Sequence, residues 1–169
     1  PAPAHTTPPP TAPLHPAPAA DVRPTAAANS AAPAAVHDEL TTALDTLPEG
    51  HRALVTCEGA FPYLARDAGL AEKYLWAVNA EQQATPQSVV GAIEFVEQHD
   101  VPAVFCESTV SDDAMQQVAR ESGAAFGGTL YVDSLSAPDG PVPTYLDLLR
   151  HDTETIVAGL TGTTAGGDA

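Results

Sequence analysis

The sequence predicts an α/β domain: an open, mostly parallel four-stranded sheet with helices on both faces, preceded by a disordered Pro/Ala-rich tail. Three observations carry that expectation. Short apolar, β-prone runs alternate with helical stretches along residues 34–160, the rhythm of βα units. The helical stretches carry start or stop signals, such as Thr before them or Gly after them. A chain of 169 residues has room for one ordinary domain, or for one lobe of a larger protein. Right-handed crossovers between parallel strands then place helices on both faces.

Residues 1–33 differ from the rest. Ten of the 17 prolines lie there among Ala and Thr, with almost no large apolar side chain. Such a stretch cannot bury enough surface to offset its ordering entropy, so it is expected to be disordered and partly polyproline II. Val36, Leu40, Leu44 and Leu47 recur at helical spacing and predict a helix over 35–47, ended by Pro48-Glu49-Gly50. Residues 53–57 read as the first strand. A helix follows over 61–68, stopped at Gly69, and then a second strand over 74–78. Thr85 caps a helix that has Pro86 at its first position and runs to His99. Residues 101–106 form the third strand. Ser111 caps a helix to Ser122, stopped by Gly123. The fourth strand, 126–132, is loosened by Gly127 and Gly128, and Thr144 caps a last helix to about Leu160. The Gly/Thr-rich residues 161–169 read as a flexible tail. The usual doubly wound order, 2-1-3-4, makes the first and third strands neighbours.

Charge narrows the partners. With 22 acids against 6 bases the formal net charge is −16, so nucleic acid and anionic membrane surfaces are poor partners, while cations are drawn in. No run of roughly 18 apolar residues is present to span a membrane. Nor does the chain open on a basic stretch with an apolar core, the mark of a secretory leader.

The candidate site is a pair of carboxylates at strand-to-loop junctions. Glu58 follows Leu54-Val55-Thr56-Cys57, and Asp133 follows Leu130-Tyr131-Val132. In an open parallel sheet the carboxyl ends of the strands share one edge, where ligands bind. Two hard anionic oxygen donors on that edge point to a divalent cation or to an acid/base pair. Glu107 ends the third strand on the same edge and is a third candidate. Cys57 and Cys106 occupy equivalent points on neighbouring strands, about 4.8 Å apart in a regular sheet. That spacing fits a disulfide if the register agrees, and two reduced, buried thiols otherwise. Trp76 and Tyr74 read as core.

Six motifs then fall in register with one family. They are Thr56-Cys57-Glu58-Gly59-Ala60-Phe61-Pro62-Tyr63-Leu64, Trp76-Ala77-Val78-Asn79-Ala80-Glu81, Thr85-Pro86, Val101-Pro102-Ala103-Val104-Phe105-Cys106-Glu107-Ser108, Tyr131-Val132-Asp133-Ser134-Leu135 and Thr144-Tyr145-Leu146. Residues 54–160 thereby resemble the C-terminal lobe of the manganese/zinc solute-binding receptors of cluster A-I ABC transporters. The resemblance implies two lobes joined by a long helix, a metal ion between them and two ligands from each lobe. The two positions that match are Glu58 and Asp133. It gives Glu107, and Ser134 beside Asp133, supporting roles around those ligands. It implies an extracytoplasmic protein, periplasmic or a cell-surface lipoprotein, with an ABC permease as partner. The other lobe would supply two His, one in an Asp-Pro-His-x-Trp-like run, and no such run is present. Glu58 where a His can stand hardens the site and favours Mn²⁺ over Zn²⁺.

Two other readings compete. A metal-assisted hydrolase using Glu58, Glu107 and Asp133 is disfavoured, because the chain has no Gly-x-Ser-x-Gly, phosphate-binding glycine loop or His-Glu-x-x-His. A fragment of such a receptor without a function of its own fits the missing lobe, with residues 1–33 as linker or out-of-frame sequence. The expectation is a binding protein that does no chemistry on its ion.

Overall fold

The computed structural model describes residues 22–80 and 84–162, with side chains from Ala31 onward. Helix α1 (Val22–Leu44) leads through a 3-10 turn to β1 (Ala53–Glu58), α2 (Pro62–Asp67) and β2 (Ala71–Trp76). Then come α3 (Pro86–Gln98), β3 (Ala103–Glu107), α4 (Asp113–Ser122), β4 (Ala125–Leu130) and α5 (Tyr145–Thr161). The fold is α/β with parallel strands, as the alternation of elements implies. Among the described residues, no helix is long and apolar enough to cross a membrane.

The expected four-stranded ladder is divided. β1 pairs with β2, and β3 pairs with β4, in two two-stranded parallel sheets. β1 still lies against β3, so the spatial order 2-1-3-4 survives. The seam between them is spanned by side chains. A disulfide joins Cys57 to Cys106 with Cα atoms 4.9 Å apart, and Glu58 N–H donates to Glu107 Oε2 at 3.0 Å. At the strand ends a carboxylate thus takes the place of a main-chain ladder partner.

Burial follows the parallel-sheet rule, with the central strands apolar on both faces. Leu54 and Val55 of β1 and Val104 and Phe105 of β3 have no exposed surface, each contributing roughly 1.5–3 kcal/mol of burial. Helices α1 and α5 pack together on one face, and α3 with α4 on the other. Phe105 explains the two glycines of β4. A Cβ at Gly127 would stand 2.9 Å from Phe105 Cζ, and the β3–β4 register slips between Val104 and Phe105, opposite Gly128 at φ +129°. Only glycine passes the ring at 127, and only glycine adopts the backbone of 128 without strain.

Local signals place most helix ends. Thr85 Oγ1 accepts from Ser88 N–H at 3.1 Å, and Ser88 Oγ accepts from Thr85 N–H at 3.0 Å, a complete capping box. Thr144 Oγ1 accepts from Asp147 N–H at 3.2 Å, and Gly123 closes α4 at φ +79°. The N-cap of α4 is Asp112 rather than Ser111, although Ser111 Oγ still accepts from Asp113 N–H at 3.3 Å.

Two boundaries differ more. Helix α1 buries Val36, Leu40 and Leu44 as the spacing predicts, but it starts at Val22 and runs through Pro33. Residues 22–33, expected to be disordered, are therefore helical. Ala is the strongest helix former, and Pro24 sits in the first turn, where proline is tolerated. The expected disorder of residues 1–21, and the expected flexible tail beyond Gly162, lie outside the described residues. Strand β2 begins at Ala71, three positions before the expected start at 74, and pairs Ala71 with Ala53 and Trp76 with Glu58. It is an edge strand with Glu72 and Lys73 half-exposed, so its sequence lacks the apolar run of β1 and β3. Trp76 is buried, but Tyr74 is 41% exposed and lies across Gly59 instead of entering the core.

Candidate metal-binding edge

Glu58 is the last residue of β1 and half-buried. Its backbone is held on every side. Glu58 N–H donates to Glu107 Oε2, and Glu58 O accepts from Thr56 Oγ1 at 2.7 Å and from Ala60 N–H at 2.9 Å. Gly59 N–H donates to Trp76 O at 3.0 Å. A Cβ at Gly59 would meet the Tyr74 ring at 2.9 Å, so a side chain there would displace that ring.

Glu107 ends β3, is 1% exposed, and leaves Oε1 without a hydrogen-bond partner. Burial pushes its carboxyl up to about 7, against backbone N–H groups of Glu58, Glu107 and Cys57 that favour the anion; the neighbouring Glu58 charge adds to the rise. Glu107 therefore holds the backbone of Glu58 rather than facing solvent as a ligand. Among the described residues, the one group of three or more metal-ligating side chains with donor atoms within 4.8 Å of one another is Cys57, Cys106 and Glu107. Both sulfurs of that group are taken up in the disulfide.

Asp133 stands in the exposed loop between β4 and α5, beside exposed Ser134. The loop closes on itself: Ser136 N–H donates to Val142 O at 3.0 Å, and Val142 N–H to Ser136 Oγ at 2.9 Å. Its entry is fixed by a residue that sequence reasoning missed. Tyr131 N–H donates to Asp152 Oδ1 at 2.8 Å, and Asp152 is 5% exposed. Burial pushes the Asp152 carboxyl up to about 7, against the Tyr131 N–H that favours the anion. The available signal was an acid inside the apolar stripe Leu148, Ile156 and Leu160 of α5.

The two segments meet at a groove of about 560 Å³ between α1, the β1–α2 turn and the start of α5. Gly59, next to Glu58, lines it together with Asp133, Asp152 and the aromatic rings of Phe61, Tyr63 and Tyr145. The groove is mostly apolar, and Asp133 and Asp152 are acids on its lining.

Comparison with known proteins resolves what this arrangement belongs to. The model of the ZnuA family, described as zinc-uptake complex component A, periplasmic, matches residues 11–159. The chain belongs to that family. It is 50% identical over 125 residues to the iron-binding protein YfeA of Yersinia pestis, covering 74% of this chain and 40% of that protein. It is 32% identical over 125 residues to the manganese-binding lipoprotein MntA of Halalkalibacterium halodurans, again covering 40% of that protein. Its fold superposes on the manganese-bound periplasmic metal-binding protein of Candidatus Liberibacter asiaticus with a TM-score of 0.76 at 40% identity, over 84% of this chain and 52% of the other. It superposes on the periplasmic zinc-binding protein TroA of Treponema pallidum with a TM-score of 0.67 at 26% identity, covering 47% of that chain. The chain thus spans about half, or less, of the ZnuA-family relatives it matches. The six motifs read from the sequence led to the same family of metal-binding ABC-transporter receptors.

Proposed function

We propose that this chain is the C-terminal lobe of an extracytoplasmic receptor that binds a divalent metal ion and delivers it to an ABC-transporter permease. The observation that carries the reading is that, in a ZnuA-family chain, the segments bearing Glu58 and Asp133 converge on one groove. Both side chains offer carboxylate oxygens and serve as ligands; Glu107 and Ser134 support them. The protein binds and releases its ion without transforming it, so it is not an enzyme.

The oxygen donors favour Mn²⁺ relative to a site in which His replaces Glu58. Relatives named for iron, manganese and zinc show that the family scaffold serves several ions, so the donor set rather than the fold sets the preference. Two carboxylates leave a hard cation short of its roughly six donors. The lobe alone therefore binds weakly, and the rest of the shell comes from a second lobe.

Free Mn²⁺ counted by electron paramagnetic resonance during titration tests the reading. Glu58→Ala and Asp133→Ala should each abolish binding, while Glu107→Ala keeps part of it. Equal binding by all four proteins ends the proposal. Zn²⁺ competition, run on wild type and Glu58→His, tests the ion preference: the His variant should shift towards zinc.

A further inference from the structure

Helix α5 spends a buried acid on one backbone group. Asp152 sits among Leu148, Ile156 and Leu160 in the core-facing stripe, where an apolar side chain would avoid the cost of desolvating a carboxyl. Its Oδ1 accepts from Tyr131 N–H at 2.8 Å. His151, the preceding residue, reaches the same strand end: Nε2 donates to the Thr129 carbonyl at 3.1 Å, and its ring lies edge-on to the Tyr131 ring at 5.2 Å. One turn of α5 thus grips β4 on both sides of Leu130. The gripped backbone leads, two residues on, to Asp133, and Asp133 and Asp152 line the same groove.

We propose that Asp152 is a positioning residue that fixes the Tyr131 backbone and so aims the Asp133 carboxylate at the groove. The proposal rests on the reading of Asp133 as a ligand. Its rival is that Asp152 acts as a second negative charge attracting the ion directly. Two variants that keep the site filled separate these roles. Asp152→Asn keeps an acceptor oxygen for Tyr131 N–H but removes the charge. Asp152→Glu keeps the charge but moves the acceptor by one methylene.

The experiment is Mn²⁺ titration of the full chain, with hydrogen exchange of the Tyr131 amide followed by nuclear magnetic resonance on the same samples. Positioning predicts that Asp152→Asn binds within about twofold of wild type, and that Asp152→Glu binds about tenfold more weakly, the usual loss when support for a ligand is removed. Tyr131 exchange should stay slow in Asp152→Asn and rise in Asp152→Glu. The reverse order of affinities, or equal affinities with equal exchange, overturns the proposal. If wild type fails to bind Mn²⁺, the metal reading falls, and the exchange rates still decide whether Asp152 holds this backbone: a rise confined to Asp152→Glu supports that hold, and unchanged rates refute it.

Discussion

At the end of the groove lined by Gly59, the preceding residue Glu58 closes a strand that is paired with β2, cross-linked to β3 and hydrogen-bonded to Glu107. At the Asp133 end, the carboxylate stands in an exposed loop beyond Leu130, whose entry is held by Asp152 and His151 of α5 and whose far side closes through Ser136 and Val142. Both ends use a buried carboxyl that accepts a backbone N–H, but Glu107 grips the proposed ligand residue itself, whereas Asp152 grips a residue two positions upstream. On the proposed reading of Glu58 and Asp133 as ligands, the difference separates a preset half of the site from an adjustable half. A preset donor lowers the ordering cost of binding. On the same reading, an adjustable donor would let one scaffold accept ions of different radius; the relatives are named for iron, manganese and zinc.

The sharpest way to break this contrast is to cut the cross-link. The disulfide closes a loop of sequence separation 49, and the chain-entropy argument gives it about 4 kcal/mol of stability. Cys57→Ala combined with Cys106→Ala should lower the urea midpoint accordingly, with a steeper slope because the unfolded chain without the cross-link is more expanded. It should also accelerate hydrogen exchange at the Glu58 amide far more than at the Tyr131 amide. Equal acceleration at both amides would show that the two ends are not independently built.

Overfilling the other end is the next test. Gly127 faces the Phe105 ring, and a methyl there would stand 2.9 Å from Cζ and 3.0 Å from Cδ1. Phe105 has no exposed surface and no room to retreat. Gly127→Ala should therefore cost about 2 kcal/mol by overpacking, read from urea unfolding. Because β4 leads into the Asp133 loop, the same variant should weaken Mn²⁺ binding where a Thr85→Ala cap variant, remote from the groove, does not. Loss in both variants would tie binding to global stability instead.

What the sequence disclosed and what it hid divide along similar lines. Thr85, Thr144 and Gly123 were legible because a cap is settled within four residues. The α/β class was legible because apolar runs such as 53–57 and 101–106 must be buried on both faces. Strand β2 started earlier than expected because an edge strand carrying Glu72 and Lys73 lacks that run. The split between β1 and β3 depends on a side chain, Glu107, meeting a backbone 49 residues away. Asp152 was hidden for the same reason: its partner lies 21 residues upstream, and an acid on a helix normally reads as surface. The Pro/Ala composition of 22–33 masked a helix because scarce apolar surface and strong helix propensity give opposite signals.

The two buried carboxyls offer the finest discrimination between the ends, through pH. Glu107 rises from 4.5 and Asp152 from 3.8, both to about 7 and both chiefly by burial. Between pH 4 and 7 the native protein holds protons that the unfolded chain has released, so the unfolded state binds fewer protons and stability falls as pH rises. The contribution of each group is complete below the unfolded value and is lost on passing about 7. The unfolding free energy read from urea titration should therefore drop from pH 5 to pH 8, by on the order of 1–2 kcal/mol per group. Glu107→Gln and Asp152→Asn should each flatten the drop, and by similar amounts, because both unfolded carboxyls are already ionised across most of this range. A drop unchanged in both variants would mean that neither carboxyl is buried as described. If only Glu107→Gln flattens it, the Asp133 end opens to water in solution, and the contrast between a preset and an adjustable edge becomes sharper still.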